Sequence, residues 1–351
     1  MPCDNTSAKR VVLRCHPEGH VKVTDFAVEP AAVPDLTDGT FLVRNLFVSV
    51  DPMLRIFIDR SPLGNIGIPA LPPGTVIPGA AVGEVVESRH PDFTPGEVVE
   101  GRFGWQHFAI SGGQGVVHVP AGLGGLENAL GIGGLPGFTA YIGLDVAGGV
   151  KPGQTVLVSG AAGAVGSAVG TLVKARGGRV VGIAGGAHKR RYLLEHVGYD
   201  AVADRYSPDF HALLAAALPG GANVYFDNVG GPMLAGVTPY MAYGSVVLIS
   251  GLMAQYQGDA AGGQPDDLAT VLYAVMGKGL RIQGFSQFGQ DSLRPAFQRE
   301  IAELITSGAI KPQVHIIDGL ENLPQAQVDL FDNSTTGKVV VRVAPAPASR
   351  N

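Results

Sequence analysis

The feature that most constrains the fold of this chain is a β-branched segment that leads directly into a glycine-rich turn and a helix-length apolar run. The segment TVLVSG at 155–160 precedes the turn GAAGAVG at 160–166. In this order, the turn amides and the helix N-terminus face a pyrophosphate, while small residues allow close backbone approach and close helix packing. The pattern AxGxxG in this context predicts a dinucleotide-binding turn, whose residues are Ala161, Gly163, Ala164, Val165 and Gly166.

The next strand indicates which dinucleotide is bound. Sites for NAD usually end this strand with Asp or Glu, which accepts a hydrogen bond from the ribose 2′-hydroxyl. Here RVVGIAGG at 179–186 ends in glycines, and HKRR follows at 188–191. A carboxylate would repel a 2′-phosphate, whereas cations attract it. The sequence therefore predicts NADP(H), with Lys189 as the first candidate for the phosphate contact and Arg205, after the following strand, as the second.

Two different patterns divide the 351 residues. Up to about residue 120, short β-branched segments alternate with turn residues, which is typical of an antiparallel barrel. From about Leu126, strand-length and helix-length segments alternate, which predicts an α/β unit with a doubly wound parallel sheet. VHIID and KVVVRV near the C-terminus are predicted to return to the first domain. The expected division is therefore 1–125 with 315–351, and 126–314, with two helices interrupted near Gly134–Gly137 at the start of the second domain.

Composition narrows the choice of partners. The net charge is −5, which argues against a nucleic-acid partner, because such proteins need a basic face to displace counterions. The chain has no apolar run of membrane-spanning length, and its opening residues lack the apolar core of a signal peptide. These observations predict a cytoplasmic protein that binds a small molecule.

Metal ligands are few. The two cysteines, Cys3 and Cys15, are placed before the folded core or in its first strand, and the nine histidines are scattered without paired spacing. A zinc dehydrogenase needs thiolate and imidazole ligands to polarise a carbonyl or alcohol. The sequence thus predicts hydride transfer without a metal. Such transfer suits a conjugated alkene, whose carbonyl delocalises the arriving charge, better than a simple ketone or alcohol.

Several motifs, in this order along almost the whole chain, are more specific than the glycine turn. They are LFVSVDPMLR at 46–55, LPGFTAYIGL at 135–144, VLVSGAAGAVGSAVG at 156–170, YFDNVGG at 225–231, GLENLPQA at 319–326 and TGKVVVRV at 336–343. Through them the chain resembles the zinc-independent medium-chain dehydrogenase/reductases, and within these the leukotriene B4 12-hydroxydehydrogenase/prostaglandin reductase group. The group includes NADPH-dependent alkenal and curcumin double-bond reductases.

The resemblance implies a GroES-like β-barrel catalytic domain built from both chain ends, a central Rossmann domain with the cleft between the two, and a homodimer. It implies that NADPH reduces the carbon–carbon double bond of α,β-unsaturated ketones and aldehydes. Alternatives are an NADPH:quinone oxidoreductase, a non-catalytic NADP-binding protein, and an enzyme that oxidises an allylic alcohol, for which neither a metal nor an obvious general base is evident.

The same resemblance assigns site residues. Lys189 corresponds to the basic residue for the 2′-phosphate, and Arg205 stands where the family usually has a tyrosine. Asn228 is expected beside the nicotinamide, and Asn333 is expected to contact the cofactor. Tyr256 corresponds to a tyrosine near the nicotinamide ribose and the substrate carbonyl, where a phenol can donate a hydrogen bond to the oxygen that gains enolate charge.

Two departures from the family pattern concern the substrate pocket. Met53 stands where an aromatic residue commonly follows the SVDP motif, and Phe288 stands where the family has a second tyrosine. A hydroxyl is lost in each case, so the pocket is expected to be more apolar than in the family. The substrate, the stereochemistry of addition and the proton donor are left open by the sequence.

Overall fold

The chain forms two compact units. The computed structural model describes residues 8–60, 69–256, 268–287, 289–332 and 334–346, so Phe288 and Asn333 lie outside the described residues. One unit takes residues up to Leu130 and from Val314 onward, and the other is Gly131–Gln313. The sequence pattern predicts these boundaries at 125/126 and 314/315.

The described residues form fifteen β-strands and nine α-helices. The strands are β1 Lys9–Leu13, β2 Phe26–Pro30, β3 Phe41–Ser49, β4 Ala81–Ser88, β5 Val98–Gly101, β6 Phe108–Ser111, β7 Val117–His118, β8 Thr155–Val158, β9 Arg179–Ala184, β10 Ala201–Asp204, β11 Ala222–Asp227, β12 Met241–Ile249, β13 Arg281–Gly284, β14 Val314–Asp318 and β15 Lys338–Arg342. The α-helices are α1 Leu54–Ile58, α2 Leu135–Val146, α3 Ala164–Ala175, α4 Ala187–Arg191, α5 Phe210–Ala217, α6 Pro232–Val237, α7 Leu268–Lys278, α8 Arg294–Thr306 and α9 Leu323–Asp329. None of the described helices is long and apolar enough to cross a membrane.

The first unit is built on a sheet in which the two ends of the chain meet. Its strand order is β14-β15-β3-β4-β5-β7, with β6 also paired to β3, and β1 and β2 form a separate ribbon. KVVVRV supplies β15, which runs antiparallel to β3 with Val341 opposite Val48. Both strands carry buried apolar side chains, because alternate residues of each face a core that includes Trp105.

The second unit is a six-stranded parallel sheet with the order β10-β9-β8-β11-β12-β13. Counted within the unit, this is the order 3-2-1-4-5-6 of a doubly wound Rossmann sheet, so the predicted fold class is confirmed. The order reverses between β8 and β11. Ligands in such sheets bind outside the carboxyl ends of the strands at that switch point. A ligand is therefore expected at the turns that follow β8, β9, β11 and β12.

One local prediction needs correction. The break between two helices that was expected near Gly134–Gly137 ends at Gly134, because α2 begins at Leu135 and continues through Gly137. A Cβ added at Gly137 would lie 1.8 Å from the carbonyl oxygen of Ile132. The glycine there allows the close approach of the preceding turn and does not break the helix. The segment before it, Leu126–Leu130, is a 3-10 helix.

Candidate cofactor-binding site

The turn after β8 has the geometry that a pyrophosphate requires. Gly160 adopts a φ of +57°, and the Gly163 amide donates to its carbonyl oxygen at 3.0 Å. Gly163 caps the 12-residue helix α3 in an extended conformation, and it is exposed at the helix N-terminus. A Cβ added at Gly166 would lie 2.5 Å from the Gly160 carbonyl oxygen. This cradle therefore fits a pyrophosphate, since small residues keep its backbone amides accessible.

Lys189, on α4 after β9, and Arg205, directly after the neighbouring strand β10, lie close together. Burial, and then the charge of the nearby Arg205, lower the pKa of Lys189 to about 8. The Arg205 guanidinium lies 4.5 Å from the ring centroid of Tyr206 and donates to the Tyr206 hydroxyl at 2.5 Å. A Cβ added at Gly185 would lie 2.4 Å from the Tyr206 ring. Two neighbouring cations at this strand end form an arrangement that suits a doubly charged phosphate.

Sequence reasoning missed Asp204 at the same corner. Its carboxylate accepts hydrogen bonds from the amides of Gly186 at 3.2 Å and of Tyr206 at 2.9 Å. Asp204 ends β10 and not β9, so the rule for the second strand gave no signal for it. The carboxylate thus bonds the residue that precedes α4, the helix of Lys189, to the turn that contains Arg205.

The turns after β8 and β11 are bonded to each other. Asn228 donates from its side-chain amide to the Ser159 carbonyl oxygen at 2.8 Å, and from its backbone amide to the Ser159 hydroxyl at 3.0 Å. The Ser159 hydroxyl donates to the buried carboxylate of Asp227 at 2.6 Å. Asn228 is thus held directly beside the phosphate-binding turn, although residues 159 and 228 are far apart in sequence. Neither Ser159 nor Asp227 was a candidate from the sequence.

Tyr256 follows a segment that is tied to the turn after β11. The amides of Met253 and Ala254 donate to the carbonyl oxygens of Asn228 at 3.2 Å and Val229 at 3.0 Å. Tyr256 itself is half-buried. Burial raises the pKa of its phenol, and a smaller contribution from the Leu252 backbone acts in the opposite direction. The phenol therefore stays protonated at neutral pH and can donate a hydrogen bond.

Met53 belongs to the first unit, where it is half-buried directly before α1. The turn that leads to it is fixed by Lys338, the first residue of β15. The buried ammonium donates to the Ser49 hydroxyl at 2.6 Å, the Val50 carbonyl oxygen at 3.0 Å and the Asp51 carboxylate at 2.6 Å. Sequence reasoning did not single out Lys338, because a lysine at the start of a strand usually reads as solvent-exposed.

Within the described ranges, no three His, Cys, Asp or Glu side chains are grouped as a metal site would need. Cys15 is exposed and lies two residues beyond the end of β1, not within that strand as expected. Its thiol lies 3.7 Å from an Asp25 carboxylate oxygen. The metal-free reaction remains a prediction.

Comparisons with known proteins agree with this architecture. Residues 9–119 match a family described as the N-terminal domain of oxidoreductase, and residues 164–304 match one described as zinc-binding dehydrogenase. The NADPH-dependent curcumin reductase of Escherichia coli is 37% identical over 339 residues, which cover 96% of this chain and 97% of the relative. Prostaglandin reductase 1 of Bos taurus is 34% identical over 345 residues, which cover 95% and 99% of the two chains.

A solved structure is similar over the same extent. CurA from Vibrio vulnificus in complex with NADPH is 32% identical and superposes with a TM-score of 0.89, with 97% of this chain and 100% of that chain covered. Together with the doubly wound sheet, the phosphate-binding turn and the motif order, this similarity settles the family. The chain belongs to the zinc-independent medium-chain dehydrogenase/reductases.

Proposed function

We propose that this protein is an enone and alkenal reductase that uses NADPH to reduce the carbon–carbon double bond of α,β-unsaturated ketones and aldehydes. The observation that carries the proposal is the position of Tyr256, a protonated phenol on a segment bonded to the Asn228 turn at the switch point of the sheet. The identity of 37% to a curcumin reductase over nearly the full length supports the same reaction.

Residues of the second unit hold the cofactor in this proposal. The amides around Gly163–Gly166 bind the pyrophosphate, and Lys189 with Arg205 binds the 2′-phosphate. Asn228 would contact the nicotinamide end of the cofactor. Asn333, which belongs to the other unit and lies outside the described residues, is carried over from the family resemblance as a further contact. When bound, NADPH supplies the hydride that adds to the β-carbon of the conjugated alkene.

Tyr256 acts on the substrate oxygen. As a hydride adds to the β-carbon, negative charge moves to the carbonyl oxygen, and the phenol donates a hydrogen bond to it. A hydrogen bond that strengthens as charge develops lowers the barrier and not only the substrate KM. The α-carbon then takes a proton from water, which gives the saturated carbonyl compound. Met53 and Phe288 stand at positions where the family commonly has hydroxyl-bearing aromatic residues, and the absence of two hydroxyls favours apolar substrates.

The test is an assay of NADPH oxidation with a panel of substrates. Short alkenals and aryl enones are expected to be reduced at the double bond, with NADPH preferred to NADH, and saturated ketones are expected to be inert. Benzoquinones serve as the comparison for a quinone reductase. Faster turnover of quinones than of every conjugated carbonyl would contradict the proposal, and so would tight NADPH binding without any turnover.

We also propose that the enzyme is a cytoplasmic homodimer that joins through the β13 edge of the second unit. All four residues of β13 are exposed, and among the described strands β13 pairs only with β12. On α7, which precedes β13 in the chain, Leu272, Tyr273 and Met276 are 54%, 71% and 76% exposed, and a group of large exposed apolar side chains of this kind marks an interaction surface. Light scattering tests this: the wild-type protein is expected to be a dimer, and Met276→Glu a weakened dimer.

The proposed cytoplasmic location is supported by Cys15, because a reducing compartment suits its free thiol.

A further inference from the structure

Asp227, the last residue of β11, has a carboxylate that no part of the proposed reaction uses. It is fully buried. Its Oδ1 atom accepts hydrogen bonds from the Ser159 hydroxyl at 2.6 Å, the Tyr225 hydroxyl at 2.9 Å, and the amides of Val229 at 2.9 Å and Gly230 at 3.1 Å. Four donors on one oxygen are more than a strand-end turn needs, since the two amides alone would close the turn.

The donors come from two strands that are neighbours at the switch point. Ser159 is the residue after β8, directly before the phosphate-binding turn, whereas Val229 and Gly230 belong to the turn after β11. The Asp227 backbone extends the connection to a third strand end, because its carbonyl oxygen accepts from the amides of Ser250 at 2.8 Å and Gly251 at 3.1 Å. These two residues begin the segment that ends at Tyr256.

The other carboxylate oxygen of Asp227, Oδ2, is buried without a hydrogen-bond partner in the described structure. Leaving a buried acceptor unpaired is unfavourable, and such groups in native structures call for an explanation other than stability. A neutral apolar residue at this position would avoid that cost but would leave four donors without an acceptor.

We infer that Asp227 is a positioning residue for the reductase, because its carboxylate holds the phosphate-binding turn and the Asn228 turn in one fixed arrangement and thereby sets the position of Tyr256 relative to the nicotinamide. The inference rests on the proposed function for the roles of Asn228 and Tyr256. The geometry that links Asp227 to Ser159 and to both turns is independent of those roles.

A matched pair of serine variants tests the inference with little risk to folding. Ser159 directly follows β8 and Ser245 lies on β12 of the same sheet, and both side chains are buried. The Ser245 hydroxyl donates to the Ala242 carbonyl oxygen at 2.7 Å. The Ser159 hydroxyl donates to Asp227 at 2.6 Å and also accepts from the Asn228 amide at 3.0 Å. We expect Ser159→Ala to lower kcat at saturating NADPH about tenfold or more, since small misplacements of reacting groups are costly. Ser245→Ala should keep kcat within about twofold, although it also removes a buried hydrogen bond and lowers the thermal stability.

The affinity for NADPH, measured by fluorescence titration without substrate, is the second readout. Ser159→Ala should raise the Kd several-fold and Ser245→Ala should not. Substitutions of Asp227 itself are the third test. An asparagine side chain keeps an acceptor oxygen, so Asp227→Asn should retain part of the activity that Asp227→Ala loses. Because Ser159 and Asp227 act through one bond, the loss in the double variant Ser159→Ala/Asp227→Asn should be smaller than the product of the single losses.

Equal effects of the two serine variants on kcat and on NADPH affinity would overturn the inference, and so would full additivity in the double variant. If the wild-type protein reduces no conjugated carbonyl, the proposed function fails, but the NADPH titrations of the serine pair still decide whether Asp227 positions the cofactor turns.

Discussion

The two ends of the cofactor site in the second unit are built in opposite ways. At the corner after β9, Lys189 is partly exposed, and Arg205 with Tyr206 is exposed on the surface. At the switch point, Asp227 and Ser159 are fully buried and connect neighbouring strands through hydrogen bonds. The corner relies on charge, whereas the switch point relies on fixed geometry.

This difference suggests that the two ends tolerate change differently. Replacing an exposed cation costs the protein little folding stability, so substitutions at the corner can change the cofactor preference without unfolding the protein. A buried hydrogen-bond network loses stability and geometry together when one member is removed. Changes at the switch point are therefore expected to lower kcat as well as cofactor affinity, whereas changes at the corner should alter cofactor affinity alone.

The largest effect is expected at Tyr256. Replacing it with Phe removes the proposed donor to the enolate oxygen, which should lower kcat by about 10²- to 10³-fold with a smaller change in the enone KM. Steady-state kinetics measure both constants. Tyr243→Phe is the matched control, since Tyr243 is 83% exposed on β12 and should show wild-type rates. Wild-type kcat in Tyr256→Phe would remove the tyrosine from the mechanism.

Lys189→Ala is the next largest change. Loss of a charged hydrogen bond to phosphate, roughly 1.5–3 kcal/mol, should raise the Kd of NADPH about 10- to 100-fold and leave that of NADH unchanged. Arg191→Ala, on the exposed side of the same short helix, removes an equal charge and should change the NADPH Kd far less. If both variants weaken NADPH equally, only the general charge of α4 attracts the phosphate.

The pH dependence of NADPH affinity sharpens the same assignment. The Lys189 ammonium of the unliganded protein loses its proton as the pH rises through about 8. Since the 2′-phosphate favours the ammonium, affinity should be highest below this pH and fall by up to about tenfold per unit above it. Titrations with NADH should stay flat, and Lys189→Arg, which remains charged, should abolish the decline. An equal decline for NADH would assign the titration to another group.

Arg205→Ala should have the smallest effect. An exposed cation contributes roughly 0.2–1 kcal/mol, so the NADPH Kd should rise at most about fivefold. Removal of its charge should also move the pH-dependent decline upward, because Arg205 helps to lower the pKa of Lys189. Arg205→Tyr, which restores the residue usual in the family, is the comparison. An unchanged pH profile in both variants would separate Arg205 from the phosphate corner.

Local patterns carried the prediction of the fold. The strand, turn and helix at 155–175 are adjacent in sequence, and the steric need for glycine at Gly166 is local as well. Repeated strand–helix alternation then predicts a parallel sheet, which the order of β8–β13 confirms. The start of α2 at Leu135 was not predicted, because the glycines at 134 and 137 suggest a break in the helix. Gly137 is needed instead for its close approach to Ile132, which depends on the preceding turn and cannot be recognised from the number of glycines.

The sequence by itself determined the family, the Rossmann sheet and the candidates for cofactor binding, because these depend on short segments whose residues are neighbours in the chain. Only the tertiary structure placed Ser159 beside Asp227, Lys189 beside Arg205 and Lys338 beside Asp51. The two members of each pair lie on different strands or on the segments that follow them, and strand order is decided by the packing of the whole sheet. The charge of a residue can be read from its letter, but its burial and its partner cannot.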